Sequence, residues 1–438
     1  TQRRLLVSLL IMKIRPVARA EKCNGRHTGT IHMTTLTDPP QGPFRLSMLF
    51  NDTRYRAYTF QLIALIALIA AFSYLGSNLF SNLAAAGLNI SYNFLGTTAG
   101  YDINQTLVEY DSQSTNARAA LVGILNTLLV AFLACATATV FGVIAGVLRL
   151  SKNWLVSRLM SFYVEIFRNI PVLIWILIIF TIMTAVMPGA RSYLGAEPDR
   201  DLLFGMFAFT NRGVYAPAPI WLPGSGVVVA TFIASIMAIV VYRRYATKVL
   251  YDTGKMLPTG WPSLAILLLP TLVVFFLMGR PIGLDMPDPL ANRFNLQGGI
   301  QIGAPLIALW FALSIYTGAF IAENVRAGIQ AISKGQTEAA GALGLRSGRI
   351  MSLVVLPQAL RVIIPPLISQ YLNITKNSSL AIAVGYADVT ATLGGITLNQ
   401  TGRAIECVLL LMLFYLTISL SISAIMNIYN NSVKLKER

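Results

Sequence analysis

The sequence predicts an all-α, polytopic membrane protein with about eight transmembrane helices, and three observations carry that prediction. Apolar residues make up 55% of the 438 and charged residues 12%, with a mean hydropathy of +0.64, a balance that belongs to membrane chains. Successive apolar runs each approach the ~20 residues needed to cover a ~30 Å hydrocarbon core. The bases between those runs gather on alternate connections, which fixes an orientation. In a soluble chain the formal charge of +16 would suggest nucleic acid. Here the bases flank apolar spans, so the lipid bilayer is the expected partner and nucleic acid is not.

Residues 1–48 read as a leader or extension outside the fold. Leu5–Met12 is apolar but too short to span, and Lys13, Arg15 and Pro16 interrupt it, leaving Met33 or Met48 as natural starts. Residues 49–118 then carry a first helix near Phe60–Phe80 and an outer loop. Residues 119–187 hold spans near Ala119–Leu148 and Phe162–Met187, and residues 188–299 hold two more near Gly226–Tyr242 and Pro262–Met278. Residues 300–438 hold Ile302–Ala322, Pro365–Leu393 and Ala404–Ile428. Eight crossings place both termini on one side. Arg149, Lys152, Arg158, Arg243, Arg244, Lys248, Lys255, Arg326, Lys334, Arg346 and Arg349 share that side, so it is the cytoplasmic face of a bacterial inner membrane. The opposite loops carry Asp102, Glu109, Asp111, Asp199, Asp285 and Asp288.

Cys23, Cys135 and Cys407 form no disulfide framework, and the only histidines, His27 and His32, lie in the leader. A histidine-based metal site or catalytic triad in the membrane body is excluded. Gly254-Lys255 lacks the upstream glycine and the following Ser/Thr of a phosphate-binding loop, so the chain does not hydrolyse ATP by itself. Gly142 and Gly146 form a small-xxx-small pair that predicts close helix packing.

The most informative stretch is Gln336–Leu356, between two membrane-length runs. Ser333 and Gln336 have capping-box spacing, so a short helix starts there, with Glu338 in its first turn where the helix dipole favours a carboxylate. Ala340 and Gly344, and Gly341 and Gly344, lie four and three apart on a face almost without side chains. Another protein can approach such a face closely, and Gly344 ends or bends the helix.

Glu338-Ala339-Ala340-Gly341, then Gly344, Ile350 and Leu356-Pro357, resemble the "EAA" loop of bacterial ABC-transporter permeases. Gly123-Ile124-Leu125-Asn126-Thr127-Leu128, Arg168-Asn169-Ile170-Pro171, Glu323–Gln330 and Asn373–Leu380 extend the likeness to the polar amino-acid uptake branch, over Ala119–Met187 and Ile302–Ile428. The added first helix and the two-helix insertion resemble the larger permease of heterodimeric general L-amino-acid or glutamate/glutamine/aspartate/asparagine importers. The resemblance implies a type I ABC importer permease core whose coupling helix, residues 333–349, docks on an ATP-binding subunit dimer. It further implies a second permease subunit and a periplasmic amino-acid-binding protein. ATP and Mg would sit on the partner ATPase and no cofactor on this chain.

Pro365–Leu393 is too long for one straight perpendicular span and holds Asn373, Lys376, Asn377, Ser378 and Ser379 in its middle. Prolines 365 and 366 disrupt helix hydrogen bonding at its start. The polar cluster predicts a break facing a cavity, because irregular backbone cannot face lipid. Two readings of Lys376 stand: it meets a substrate carboxylate, or, three turns into the span, it snorkels to the cytoplasmic interface. Glu165 and Arg168, three apart, are expected to pair with each other or to form a gate contact. Asp388 and Glu406 read as solvated helix termini. The competing function is an ion-coupled secondary amino-acid transporter using Lys376, Asp388 or Glu406, and a third class is a channel or scaffold. Neither needs a Glu-Ala-Ala-Gly patch between cytoplasmic charges.

Overall fold

A computed structural model describes residues 50, 53–87, 89–195, 199–289 and 295–433. The expected leader, with Cys23, His27 and His32, lies outside them. The chain divides into two compact units between Asn89 and Ile90. In the first unit, helix α1 (Thr53–Ala85) carries an unbroken apolar run from Leu62 to Phe72 whose side chains are exposed, as those of a lipid-facing span are.

The segment from Ile90 belongs with the second unit because polar groups tie it there. Asn116 donates to the carbonyls of Phe94 (3.0 Å) and Thr97 (3.3 Å), and Glu406 accepts from the Ser91 amide at 3.0 Å. Tyr110 donates to the Tyr101 carbonyl at 2.7 Å. Burial, reinforced by Tyr101, Asp102 and Asp111, pushes the Tyr110 phenol up to about 12.

Helix α2 (Asn116–Leu148) follows, and its alanine and glycine face lies along a later helix. Helix α3 (Trp154–Asn169) starts on an Asn153 cap that accepts from the amides of Leu155 (3.0 Å) and Val156 (3.3 Å). The single span expected at Phe162–Met187 is corrected here. The chain breaks before Pro171 and turns by 104° into α4 (Val172–Thr181), which continues as a π-helical turn, Ile182–Val186. Pro171 forces the break: it drives Ile170 out of the helical region, to φ −106° and ψ 132°.

Residues 188–303 add strands to a mostly helical chain: β1 (Ala208–Thr210), β2 (Gly213–Ala216), β3 (Ala218–Trp221), β4 (Ile282–Asp285) and β5 (Ile300–Gly303). They pair antiparallel in the orders β1-β2-β5 and β3-β4, with Val214 opposite Ile302 and Pro219 opposite Leu284. Between them α5 (Ser225–Thr253) and α6 (Gly260–Leu277) form a hairpin packed mainly on itself, burying Val228, Ser235, Ala246 and Ser263.

Helix α7 (Ala304–Gln330) is the central, most buried span. Its fit to α2 rests on the Gly142/Gly146 pair. A Cβ on Gly142 would lie 2.5 Å from Ile321, and one on Gly146 would lie 2.7 Å from the Ala322 carbonyl. After α7 come α8 (Lys334–Ala342), α9 (Ser347–Ile350), a π turn at Met351–Val355 and α10 (Leu356–Asn377). A 3-10 stretch (Ser378–Val384), a π stretch (Thr390–Thr397), α11 (Leu398–Thr401) and α12 (Ala404–Val433) complete the chain. The main core joins Val130, Ala134, Ile176, Leu313, Ile363 and Ile374 from α2, α4, α7 and α10. Among the described residues, seven helices are long and apolar enough to cross a membrane, and the bent α3–α4 pair brings the number to eight if it counts as one span.

Candidate functional site

The first candidate surface is the small-residue stretch after α7. Ser333 takes the N-cap backbone conformation of α8, but its hydroxyl makes no capping hydrogen bond, so the expected capping box does not close. The start is held instead by backbone, the Gln336 amide donating to the Ser333 carbonyl at 3.1 Å. The expected helix over 333–349 is two helices. Gly344, at φ +76°, ends α8, and α9 begins at Ser347. Glu338, Ala339, Gly341 and Gly344 are exposed, and neither glycine has an atom within 4 Å of a would-be Cβ. Ala340 is buried, as α8 rests on the π turn at Met351–Val355. It therefore supports the surface from beneath. Sequence reasoning missed Leu343, which is 83% exposed at the end of α8 beside Gly344. Its spacing from Ala339 was a readable signal, since both fall on the uncovered face.

Just before this patch, Glu323 near the end of α7 binds Arg149 at the end of α2, and Arg326 at 2.5 Å. Arg149 also donates to the Ser161 hydroxyl of α3 at 3.3 Å. One carboxylate thus ties the end of α2 to α7 directly, and α3 through Arg149. A lone acid at the end of an apolar span was the signal for it, because such a charge requires a partner. The expected Glu165–Arg168 pair does not form. Arg168 stands over the Phe320 ring, 5.2 Å from its centroid, and Glu165 is exposed.

The second surface lies on α10. Its span begins at Ser347, not at Pro365, and Pro365 and Pro366 sit inside the helix. Lys376 is therefore about eight turns along, toward the end remote from α8. The expected break at Asn373–Ser379 is displaced. The helix runs through Asn377, tightens over Ser378–Val384 and stops at Gly385, at φ +73°. Asn373 and Lys376 are exposed and Asn377 half-buried, three positions on one helix face. Ser378 is fully buried and donates to the Thr375 carbonyl at 2.7 Å, and Ser379 donates to the Lys376 carbonyl at 2.7 Å. The five-residue polar cluster accordingly divides. Asn373, Lys376 and Asn377 present an outward amide and ammonium face, while Ser378 belongs to the packing.

Beyond Gly385 the chain is clamped to α2. Asn126 donates to the carbonyls of Ala387 and Gln105, both at 2.9 Å, and Thr127 accepts from the Val389 amide at 3.0 Å. Asp388 is buried and accepts from the Ala391 amide at 2.8 Å, and Glu406 is also buried. Neither is the solvated terminus expected from sequence. Gly123 makes the clamp possible, since a Cβ there would overlap the Thr392 hydroxyl and stand 3.0 Å from the Asp388 carbonyl. Gly123→Leu is expected to destabilise the chain by about 1–3 kcal/mol through overpacking, read as a lower unfolding temperature in detergent. An unchanged midpoint would mean that the clamp is not close-packed in solution.

A bundle of apolar helices of membrane-spanning length, carrying a nearly bare helix on an exposed turn, defines a multi-pass membrane protein. Residues 226–435 match the family described as binding-protein-dependent transport system inner membrane component. The glutamate/glutamine/aspartate/asparagine transport system permease protein BztB of Rhodobacter capsulatus is 50% identical over 430 residues, covering 93% of this chain and all of that one. The general L-amino acid transport system permease protein AapQ of Rhizobium johnstonii is 43% identical over 410 residues, with 93% and 100% coverage. A crystal structure of an amino acid ABC transporter with histidines aligns at TM-score 0.41 and 19% identity over 72% of this chain and 94% of that one. The chain belongs to the permease subunits of amino-acid ABC transporters, and nothing in the comparison favours the ion-coupled alternative.

Proposed function

We propose that this chain is the translocation subunit of an ATP-driven importer of acidic and polar amino acids in a bacterial inner membrane, with both termini in the cytoplasm. The observation that carries the coupling half is the uncovered α8 surface: Glu338, Ala339 and Gly341 on the helix, and Leu343 and Gly344 just after it, are exposed, while Ala340 alone is buried beneath. It fits a cleft on a separate ATP-binding subunit dimer, which holds ATP and Mg. Closure of that dimer would push α8, and the Glu323 network would pass the movement to α2 and α3. The outward Asn373, Lys376 and Asn377 face is closed by a second permease subunit, and a periplasmic amino-acid-binding protein delivers the substrate. The name of BztB, a relative of matching length, supports the acidic and amide amino acids.

The test is uptake into proteoliposomes holding the complete transporter with its binding protein. ATP enclosed with the ATPase side should drive uptake of glutamate, aspartate, glutamine and asparagine, and arginine should be carried at least tenfold less. Uptake that needs an ion gradient and no ATP would refute the reading. The orientation has its own check. Cysteines placed at Thr247 and Ser347 should both be shielded from an impermeant thiol reagent outside intact spheroplasts, and labelling of only one would break the topology.

A further inference from the structure

The α5–α6 hairpin has no role in the coupling or polar faces, and it packs mainly on itself. The seam against α6 is marked by the buried positions Val228, Ser235 and Ala246. Val240, Arg243, Arg244 and Thr247 lie on one flank of α5, about 60–160° around the helix from that seam at 3.6 residues per turn, and all four are exposed. They line an open groove of about 370 Å³. Two guanidiniums thus share one groove with an apolar wall, and the Thr247 hydroxyl is already used in donating to the Arg243 carbonyl at 2.9 Å. Around it the hairpin carries Lys248 and Lys255 against a single carboxylate, Asp252. Among the described residues none of these bases is in an ion pair. Tyr245, Tyr251 and Trp261 are exposed at the same end of the hairpin, and amphipathic rings at a span end mark headgroup depth.

We propose that this groove binds an anionic phospholipid, its phosphate held by Arg243 and Arg244 and its acyl chain lying along Val240 and the apolar face of α5 below it. The chemistry favours a lipid over a protein partner. The forked guanidiniums suit a phosphate, the groove opens on an exposed flank of α5, and bases at a helix end attract anionic headgroups by about 1 kcal/mol each near the surface. The bound lipid would pin the end of a hairpin that, among the described residues, packs mainly on itself.

The experiment is native mass spectrometry of the full chain in its purified complex, delipidated and then offered phosphatidylglycerol or phosphatidylcholine. The wild type should retain phosphatidylglycerol at least tenfold better than phosphatidylcholine. Arg243→Gln/Arg244→Gln should lose that preference, and Arg243→Lys/Arg244→Lys should keep most of it. Inorganic phosphate at millimolar concentration should not displace the lipid; displacement would mean a free-anion site and overturn the proposal. Equal retention of the two lipids by the wild type, or of phosphatidylglycerol by the glutamine variant, would also overturn it. Should the glutamine variant fold poorly, thermal unfolding of the wild type decides, because only a lipid bound to the native state raises the midpoint. An equal rise with both lipids would overturn the assignment.

Discussion

Gly341→Trp is expected to abolish uptake while leaving the membrane spans inserted and folded. Gly341 is exposed and a Cβ built there meets nothing within 4 Å, so the chain itself has room for a larger side chain. Any loss must then come from a second molecule that approaches the bare face. Gly344 is a poorer probe, because at φ +76° any side chain strains the backbone whether or not a partner is present. Leu343→Asp attacks the same contact from the other direction. Burying a leucine contributes about 1.5–3 kcal/mol, so the variant should weaken association with the ATP-binding subunit roughly ten- to hundredfold. Co-purification and ATP-dependent uptake are the measurements. Unimpaired uptake by Gly341→Trp would remove α8 from the coupling role.

The spans were legible because a bilayer demands long apolar runs, and the Gly142/Gly146 contact was legible because only small residues admit a helix as close as α7. The strands of residues 208–303 were hidden by their length. Three or four residues show no alternation that separates a strand from a Gly/Pro-rich loop. The turn before Pro171 was present in the sequence, but an unbroken count of apolar residues from Phe162 to Met187 masked it. On α10 the error ran the other way. Prolines suggested a start at 365, yet neighbouring helices carry the backbone through both of them, and moving the start to Ser347 moved Lys376 to the far end of the span. Glu165 and Arg168 show the limit of spacing as evidence: three residues apart permits an ion pair, and an aromatic ring on α7 outcompeted the carboxylate. The buried surroundings of Asp388 and Glu406 involve chain segments far away in sequence, Thr127 bonding the neighbouring Val389 amide and the Ser91 amide bonding Glu406, which no local pattern reveals.

Lys376→Met is expected to cut uptake of glutamate and aspartate more than tenfold while leaving assembly intact. Lys376 is exposed on α10 next to Asn373 and Asn377, and among the described residues no carboxylate pairs with it. Lys376 lies toward the far end of its span, so its ammonium costs less than the ~2.5–3.5 kcal/mol of a charge at the bilayer centre, and water, a partner subunit or a substrate carboxylate can meet it there. The face offers donors and no fixed anion, which suits an acidic side chain and repels a cationic one. Methionine keeps the apolar stem and removes only the charge, so the helix and its packing should survive. The ratio of substrates separates the two explanations for any loss. If Lys376 holds the substrate carboxylate, glutamate and aspartate uptake falls much further than glutamine uptake. If it serves only to join the second permease, all substrates fall together and the complex dissociates on purification. Normal transport of acidic amino acids by the variant would withdraw Lys376 from the substrate path altogether.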